Sequence, residues 1–168
     1  MRIIINLASK EYSKCIEKYL QPEKMDTRFS SAIHTLILIA AADHSMTSEE
    51  IAVSVGTNPS YIRKITGLLR KKEIITSRQG ARGFALTVTP EKLPLYDIYR
   101  AIYESEEVHV FDLHQNPNDE CIVGRHIRPV LTDTFRQIEE KAEQELNGLT
   151  LKDCMDSMRK LIDKEDVK

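Results

Sequence analysis

Residues 44–77 read HSMTSEEIAVSVGTNPSYIRKITGLLRKKEIITS. Thr47 followed three residues later by Glu50 is a capping box, in which each side chain binds the other's backbone N–H, so a helix starts there. Ile51, Ala52 and Val55 fall on one face of that helix. Gly56 comes next, where a helix C-terminus needs a positive φ. Asn58 suits the cap of a second helix, and Pro59 suits its first position, where a missing N–H does no harm. Ile62, Ile65, Leu68 and Leu69 then give an apolar stripe at helical spacing. Two short helices joined by a turn of about four residues form a helix-turn-helix. The small Ala52 lets the two helices cross closely.

With Ile62, Ile65 and Leu69 inward, Ser60, Tyr61, Arg63, Lys64 and Gly67 point elsewhere. A recognition helix presents its N-terminal residues to the major groove. Arg63 is suited to bidentate pairing with a guanine edge, and Thr57, Ser60 and Tyr61 to phosphates or base edges. The helix N-terminus adds free N–H groups and a partial positive charge.

Downstream, "EIITS" and "GFALTV" are short β-prone runs joined by "RQGARG". Gly80 and Gly83 permit the turn, giving a β-hairpin directly after the helix-turn-helix, which is a wing. Arg78, Gln79 and Arg82 on its rim can reach the DNA backbone or a narrow minor groove. A phosphate-cradling loop is excluded by context, because no Gly-Lys-Ser/Thr follows and no helix opens after the second glycine.

Charge supports this placement. Residues 59–82 hold seven basic residues against Glu73 alone, a local +6, which leaves −8 on the rest of a 168-residue chain of formal net charge −2. A solvated helix face would show the same run, and only its position on a helix-turn-helix points to a polyanion. The apolar content of 41% suffices for a core, and the charged fraction of 30% is ordinary to slightly rich and argues against disorder. The longest apolar run, "IHTLILIAAA", is short of the roughly 18 residues a membrane helix needs. The start, "MRIIINLASKEYSKC", has an apolar run of about four residues and does not read as a signal peptide. Three scattered cysteines form no disulfide framework. A cytoplasmic protein with no membrane association is expected.

In order along the chain, "RFSSAIHTLILIA", the helix-turn-helix stretch, "RGFALTVTPEKLPLYDIYRAI" and "CIVGRHIRPVL" resemble the redox-response-factor-two family of bacterial winged-helix regulators. The resemblance runs from residue 25 to about residue 162. It implies a dimeric, operator-binding transcriptional regulator, usually a repressor, in which residues around Ser60, Tyr61 and Arg63 and the arginine at Arg78 contact DNA. Two departures stand out. Gln79 follows that arginine where the family usually has glycine, and Arg82 replaces another glycine. Cluster-binding relatives carry three closely spaced cysteines near the start of the dimer helix, whereas this chain has only Cys121 there.

A cluster needs several thiolates at one site, and "HVFDLHQNPNDECIVGRH" offers no paired zinc spacing around Cys121, so no metal or cofactor is expected. Cys121 is instead a candidate redox sensor, near a helix N-terminus after a cap at Asn118 or Asp119; the alternative is simple packing. Cys154 lies on an apolar stripe with Leu151, Met155, Met158 and Leu161 and reads as a core thiol.

Ile127, Leu131, Phe135, Ile138, Ala142 and Leu146 form an amphipathic stripe over about twenty residues. Pro129 either lies near the start of this helix or kinks it. "NGLT" ends it, and Thr150 with Asp153 starts another. So long a helix in so small a chain wants a partner surface, and the stripe is read as the seam of a homodimer.

The organisation expected is therefore mainly α with a small β-hairpin. Residues 1–24 are an N-terminal extension with no assigned function, 25–100 a winged helix-turn-helix DNA-binding domain, and 101–168 a linker, a long dimerisation helix and a C-terminal helix. The function is a dimeric, sequence-specific regulator on an inverted-repeat operator, not an enzyme. The rival is a winged-helix protein-interaction module without DNA binding. Outward Arg63, Lys64, Arg78 and Arg82 favour DNA.

Overall fold

The computed structural model describes residues 26–77 and 83–165. The N-terminal extension and the wing tip with Arg78, Gln79 and Arg82 lie outside the described residues. The order is α1 (Arg28–Ala41), α2 (Ser48–Val55), α3 (Pro59–Lys71), β1 (Ile75–Ser77), β2 (Phe84–Leu86), a 3-10 turn (Pro90–Lys92), α4 (Leu95–Tyr103), α5 (Ile122–Gly148) and α6 (Leu151–Glu165). Among the described residues no helix is long and apolar enough to cross a membrane.

Local chemistry sets the helix ends. Thr47 accepts from the Glu50 N–H while the Glu50 carboxylate accepts from the Thr47 N–H at 2.8 Å, closing the capping box of α2. Gly56 ends α2 at φ 71°, and the Asn58 side chain caps α3 by accepting from the Tyr61 N–H at 2.9 Å. The box satisfies two donors and the Asn58 cap one, worth about 1 kcal/mol per cap.

One core joins all these elements. Leu36 of α1, Ile51 of α2, Ile62, Ile65 and Leu69 of α3, Ile98 of α4 and Leu151 of α6 are fully buried, with Ile75 of β1 and Ile102 of α4 nearly so. Each such side chain contributes about 1.5–3 kcal/mol by leaving water. Thr66 is buried too, and its hydroxyl donates to the Ile62 carbonyl at 2.9 Å, so no polar group is stranded there.

β1 and β2 pair antiparallel, Ile75 opposite Leu86 and Ser77 opposite Phe84. The hairpin is fastened to the body because the Phe84 N–H donates to the Met46 carbonyl at 3.0 Å. Gly83 makes that approach possible. Its φ is 139°, and a Cβ there would lie 2.5 Å from the Ser45 carbonyl oxygen.

α5 starts at Ile122, so Pro129 lies inside the helix rather than at its start. Cys121 is its N-cap residue, not Asn118 or Asp119, which sit in the preceding turn; Asn118 instead receives the Glu120 N–H on its side chain at 2.9 Å. After α5 the chain returns to the head. The Leu95 N–H donates to the Leu149 carbonyl at 2.8 Å and the Leu151 N–H to the Leu93 carbonyl at 2.9 Å, which seats Leu151 in the core. Thr150 and Asp153 cap α6, the Thr150 N–H donating to the carboxylate at 2.8 Å.

The connector between α4 and α5 is clasped by His109. Its Nε2 lies 3.0 Å from Asp112 and its Nδ1 3.2 Å from Glu139 of α5, and the Val110 N–H donates to the same Glu139 oxygen at 2.8 Å. Tyr99 of α4 bonds both the His109 N–H and its carbonyl. The Asp112 hydrogen bond, opposed by partial burial and helped by the Glu139 charge, holds His109 above the ordinary imidazole pKa. The clasp is therefore fully present below the unfolded value of about 6.5 and is lost as pH rises through the raised folded value. Unfolding titrations from pH 5 to 8 should show this declining contribution in the wild type, and His109→Gln should abolish it. An identical pH profile in the variant would refute the clasp.

Candidate nucleic-acid interface

α2 crosses α3 so that the first turn of α2 stands beside the second turn of α3. Ile51 and Ala52 pack against Ile62 and Ile65 in the interior. The opposite side of α3 faces a groove of about 440 Å³ lined by Thr47, Ser48 and Glu49 of the α2 start, Arg63 and Arg70 of α3, and Ser77, Gly83 and Phe84 of the hairpin. Ser60, Arg63 and Lys64 are exposed, whereas Thr57 and Tyr61 are half-buried. Tyr61 packs on the core edge, so its ring is fixed.

Arg63 is not isolated. Its Nη2 donates to Glu49, forming an ion pair between α3 and α2. Arg70 donates from Nη1 to the Ser77 hydroxyl at 3.2 Å, linking α3 to the base of the wing. The lysines at the end of α3 turn the other way. Lys71 pairs with Glu104 at 2.6 Å and Lys72 with Glu106 at 3.7 Å, so the acidic end of α4 answers them. Among the described residues the cations that line the groove are thus Arg63 and Arg70. Sequence reasoning missed Glu49, Arg70 and Ser77. The one signal available was Glu49 in the first turn of a helix that a helix-turn-helix crossing brings over the second.

Five of the six stripe residues of α5, Ile127, Leu131, Phe135, Ala142 and Leu146, are half-buried. The Phe135 ring lies 5.0 Å from that of Phe111, and Leu146 packs on the core. Ile138 is exposed. Next to it along the same side, Val123 and Val130 are 64% and 58% exposed, and α6 adds exposed Leu161 and Ile162. One edge of a broad apolar face is covered within the chain, and the other is bare.

Cys121 is exposed, and Cys154 is half-buried against the core. The backbone N–H groups of Gly124 and Val123 in the first turn of α5 hold the Cys121 thiol below its usual pKa without closing a cap hydrogen bond. Burial, with the Asp153 charge second, pushes Cys154 up.

Residues 25–157 match the family model Rrf2, described as an iron-dependent transcriptional regulator. The chain belongs to the Rrf2 family. It is a transcriptional regulator, not an enzyme. It is 40% identical over 134 residues to YwnA of Bacillus subtilis (strain 168), named for an HTH-type transcriptional regulator, covering 80% of this chain and 98% of that one. A solved structure described as a DNA-binding protein superposes with a TM-score of 0.62 at 38% identity, covering 76% of this chain and 98% of that one. The fold is shared with T. potens IscR, at 20% identity and a TM-score of 0.60 over 80% of this chain and 88% of that one. It is shared too with CymR of B. subtilis, at 18% and 0.60 over 80% and 98%.

The family description carries the word iron, and the described residues do not fit an iron–sulfur cluster. Among them no group of three or more His, Cys, Asp or Glu side chains converges, and the two described cysteines sit in unlike settings, one exposed at an N-cap and one on the core. Limiting alkylation followed by mass spectrometry should label Cys121 before Cys154. Equal labelling, or faster labelling of Cys154, would remove the basis for a sensor at Cys121.

Proposed function

We propose that this DNA-binding transcriptional regulator acts as a cytoplasmic homodimer that represses by occupying an inverted-repeat operator. The observation that carries the reading is the placement of Arg63. It stands exposed on the outer side of a capped, rigidly packed helix, over a groove bounded by a hairpin. That is the arrangement by which a winged helix-turn-helix sets one side chain against base edges while its flanks meet phosphates. In this reading Ser60, Tyr61 and Thr57 meet phosphates or base edges at the start of α3, Lys64 meets the backbone, and Arg78, Gln79 and Arg82 serve the wing. α5 forms the dimer seam through the stripe Ile127 to Leu146, with bare Val123, Val130 and Ile138 meeting the partner first. Cys121, at the start of that helix, is the thiol an oxidant reaches, which gives the dimer a redox input.

Arg63→Ala should cost about 1–3 kcal/mol on an operator selected from a random library and relax preference at one base pair. Replacing Arg78 and Arg82 together by alanine should weaken all sequences alike and flatten the salt dependence, since fewer counterions are released. Salt titrations on the operator and on random duplex check both. Unchanged affinity and slope in the wing variant would make the hairpin an ordinary solvated turn and favour a protein-interaction module.

The dimer has its own test. Light scattering at micromolar concentration should show a dimer for the wild type and a monomer for Val130→Asp plus Ile138→Asp, a pair whose exposed side chains leave the monomer core untouched. A wild-type monomer would refute the homodimer, and a dimer unaffected by both changes would move the seam elsewhere.

A further inference from the structure

Glu49 has no role in the cap that begins its helix. The neighbouring Glu50 fills that role, binding the Thr47 N–H and hydroxyl at 2.8 Å each. Glu49 reaches instead across to Arg63 on α3, fourteen residues on. Both side chains are more than half exposed, 60% and 57%, and both line the groove beside the wing base. An ion pair so exposed contributes little to folding. A carboxylate on a surface that meets a polyanion also lowers affinity for it. A carboxylate in the first turn of a helix does gain a little from the helix dipole, but neither that nor bulk attraction accounts for its reach across to Arg63.

The geometry does. A guanidinium carries five donors in a fixed planar fork, and Glu49 takes one at Nη2. The remaining donors are left for the groove that both residues line. An arginine held in this way can meet a paired acceptor edge on a base. Swinging to a phosphate elsewhere means giving up the ion pair with Glu49. We infer that Glu49 is a specificity-determining residue, a positioning carboxylate that aims Arg63 at one base edge and withholds it from the phosphates of unrelated DNA. The inference rests on the reading of Arg63 as a base reader.

The test compares wild type, Glu49→Gln, Glu49→Ala, Arg63→Ala and the double variant Glu49→Gln/Arg63→Ala as full chains. Each is titrated with salt on the selected operator and on a random-sequence duplex. Glu49→Gln keeps the side-chain shape and leaves the Thr47–Glu50 cap intact, and thermal melts confirm that each variant is folded. Without the carboxylate, Arg63 gains a phosphate on random DNA. Binding to random duplex should therefore tighten about tenfold, and the slope of log K against log salt should steepen by about 0.9, the value for one added phosphate contact. The operator-to-random ratio should fall about tenfold or more in Glu49→Gln and in Glu49→Ala. In the Arg63→Ala background the same change should leave the ratio unaltered. The inference is overturned if Glu49→Gln tightens operator and random DNA equally, if it leaves the ratio unchanged, or if it lowers the ratio without Arg63. Loss of discrimination in Arg63→Ala with none in Glu49→Gln removes Glu49 alone. An Arg63→Ala variant that keeps full operator preference removes the base-reading assignment, and Glu49 with it.

Discussion

The packing of α2 across α3 at Ala52 is the contact on which the rest of the molecule depends. Ile51, Ile62 and Ile65 are fully buried and Ala52 nearly so, and a larger side chain at Ala52 would push the helices apart. The turn between them closes because Gly56 adopts φ 71° and the Thr57 N–H donates to the Ala52 carbonyl at 3.0 Å. Once those helices are fixed, the outward side of α3 is fixed, and with it the point on the helix from which Arg63 projects. The Glu49–Arg63 ion pair, the groove and the seat of the hairpin all follow from that crossing.

The hairpin and the C-terminal helices are then built onto this unit by a few backbone hydrogen bonds at its edges. Phe84 to Met46 ties the wing to the start of α2, with Gly83 providing the space. Leu95 to Leu149 and Leu151 to Leu93 bring the end of α5 back to the head. The long helix is thus not a free arm. Its outer half carries the bare apolar edge, and its far end is anchored in the same core as α3. The bare apolar edge of α5 and the groove beside α3 are held on one body.

Charge follows the same logic of position over total. The basic run at residues 59–82 is one block on paper but divides in space. Lys71 and Lys72 are answered by Glu104 and Glu106, so that end of α3 belongs to the body's own electrostatics. Arg63 and Arg70 stay on the groove side, each held by a neighbour. A weakly acidic protein thereby presents a small cationic surface without a strong general attraction to nucleic acid, and selective binding profits from that restraint.

The sequence by itself determined what depends on neighbours within about four residues. The Thr47–Glu50 box, the left-handed Gly56, the Asn58–Pro59 start, the inward stripe of α3 and the Thr150–Asp153 cap are all contacts of that range, where residue identity dictates geometry. The long stripe of α5 was legible for the same reason. The hairpin, Ser77 opposite Phe84, reaches only a little further and is marked by its turn glycines. Only the tertiary structure decided what lies across a gap in the chain. It paired Glu49 with Arg63, sent Lys71 and Lys72 to α4, required Gly83 against Ser45, and made Cys121 itself the N-cap of α5. It also divided the apolar face of α5 into a covered edge at Phe135 and Leu146 and a bare edge at Val123, Val130 and Ile138. Periodicity tells which side of a helix is apolar, but what covers that side depends on where distant segments come to rest, and no local spacing encodes it.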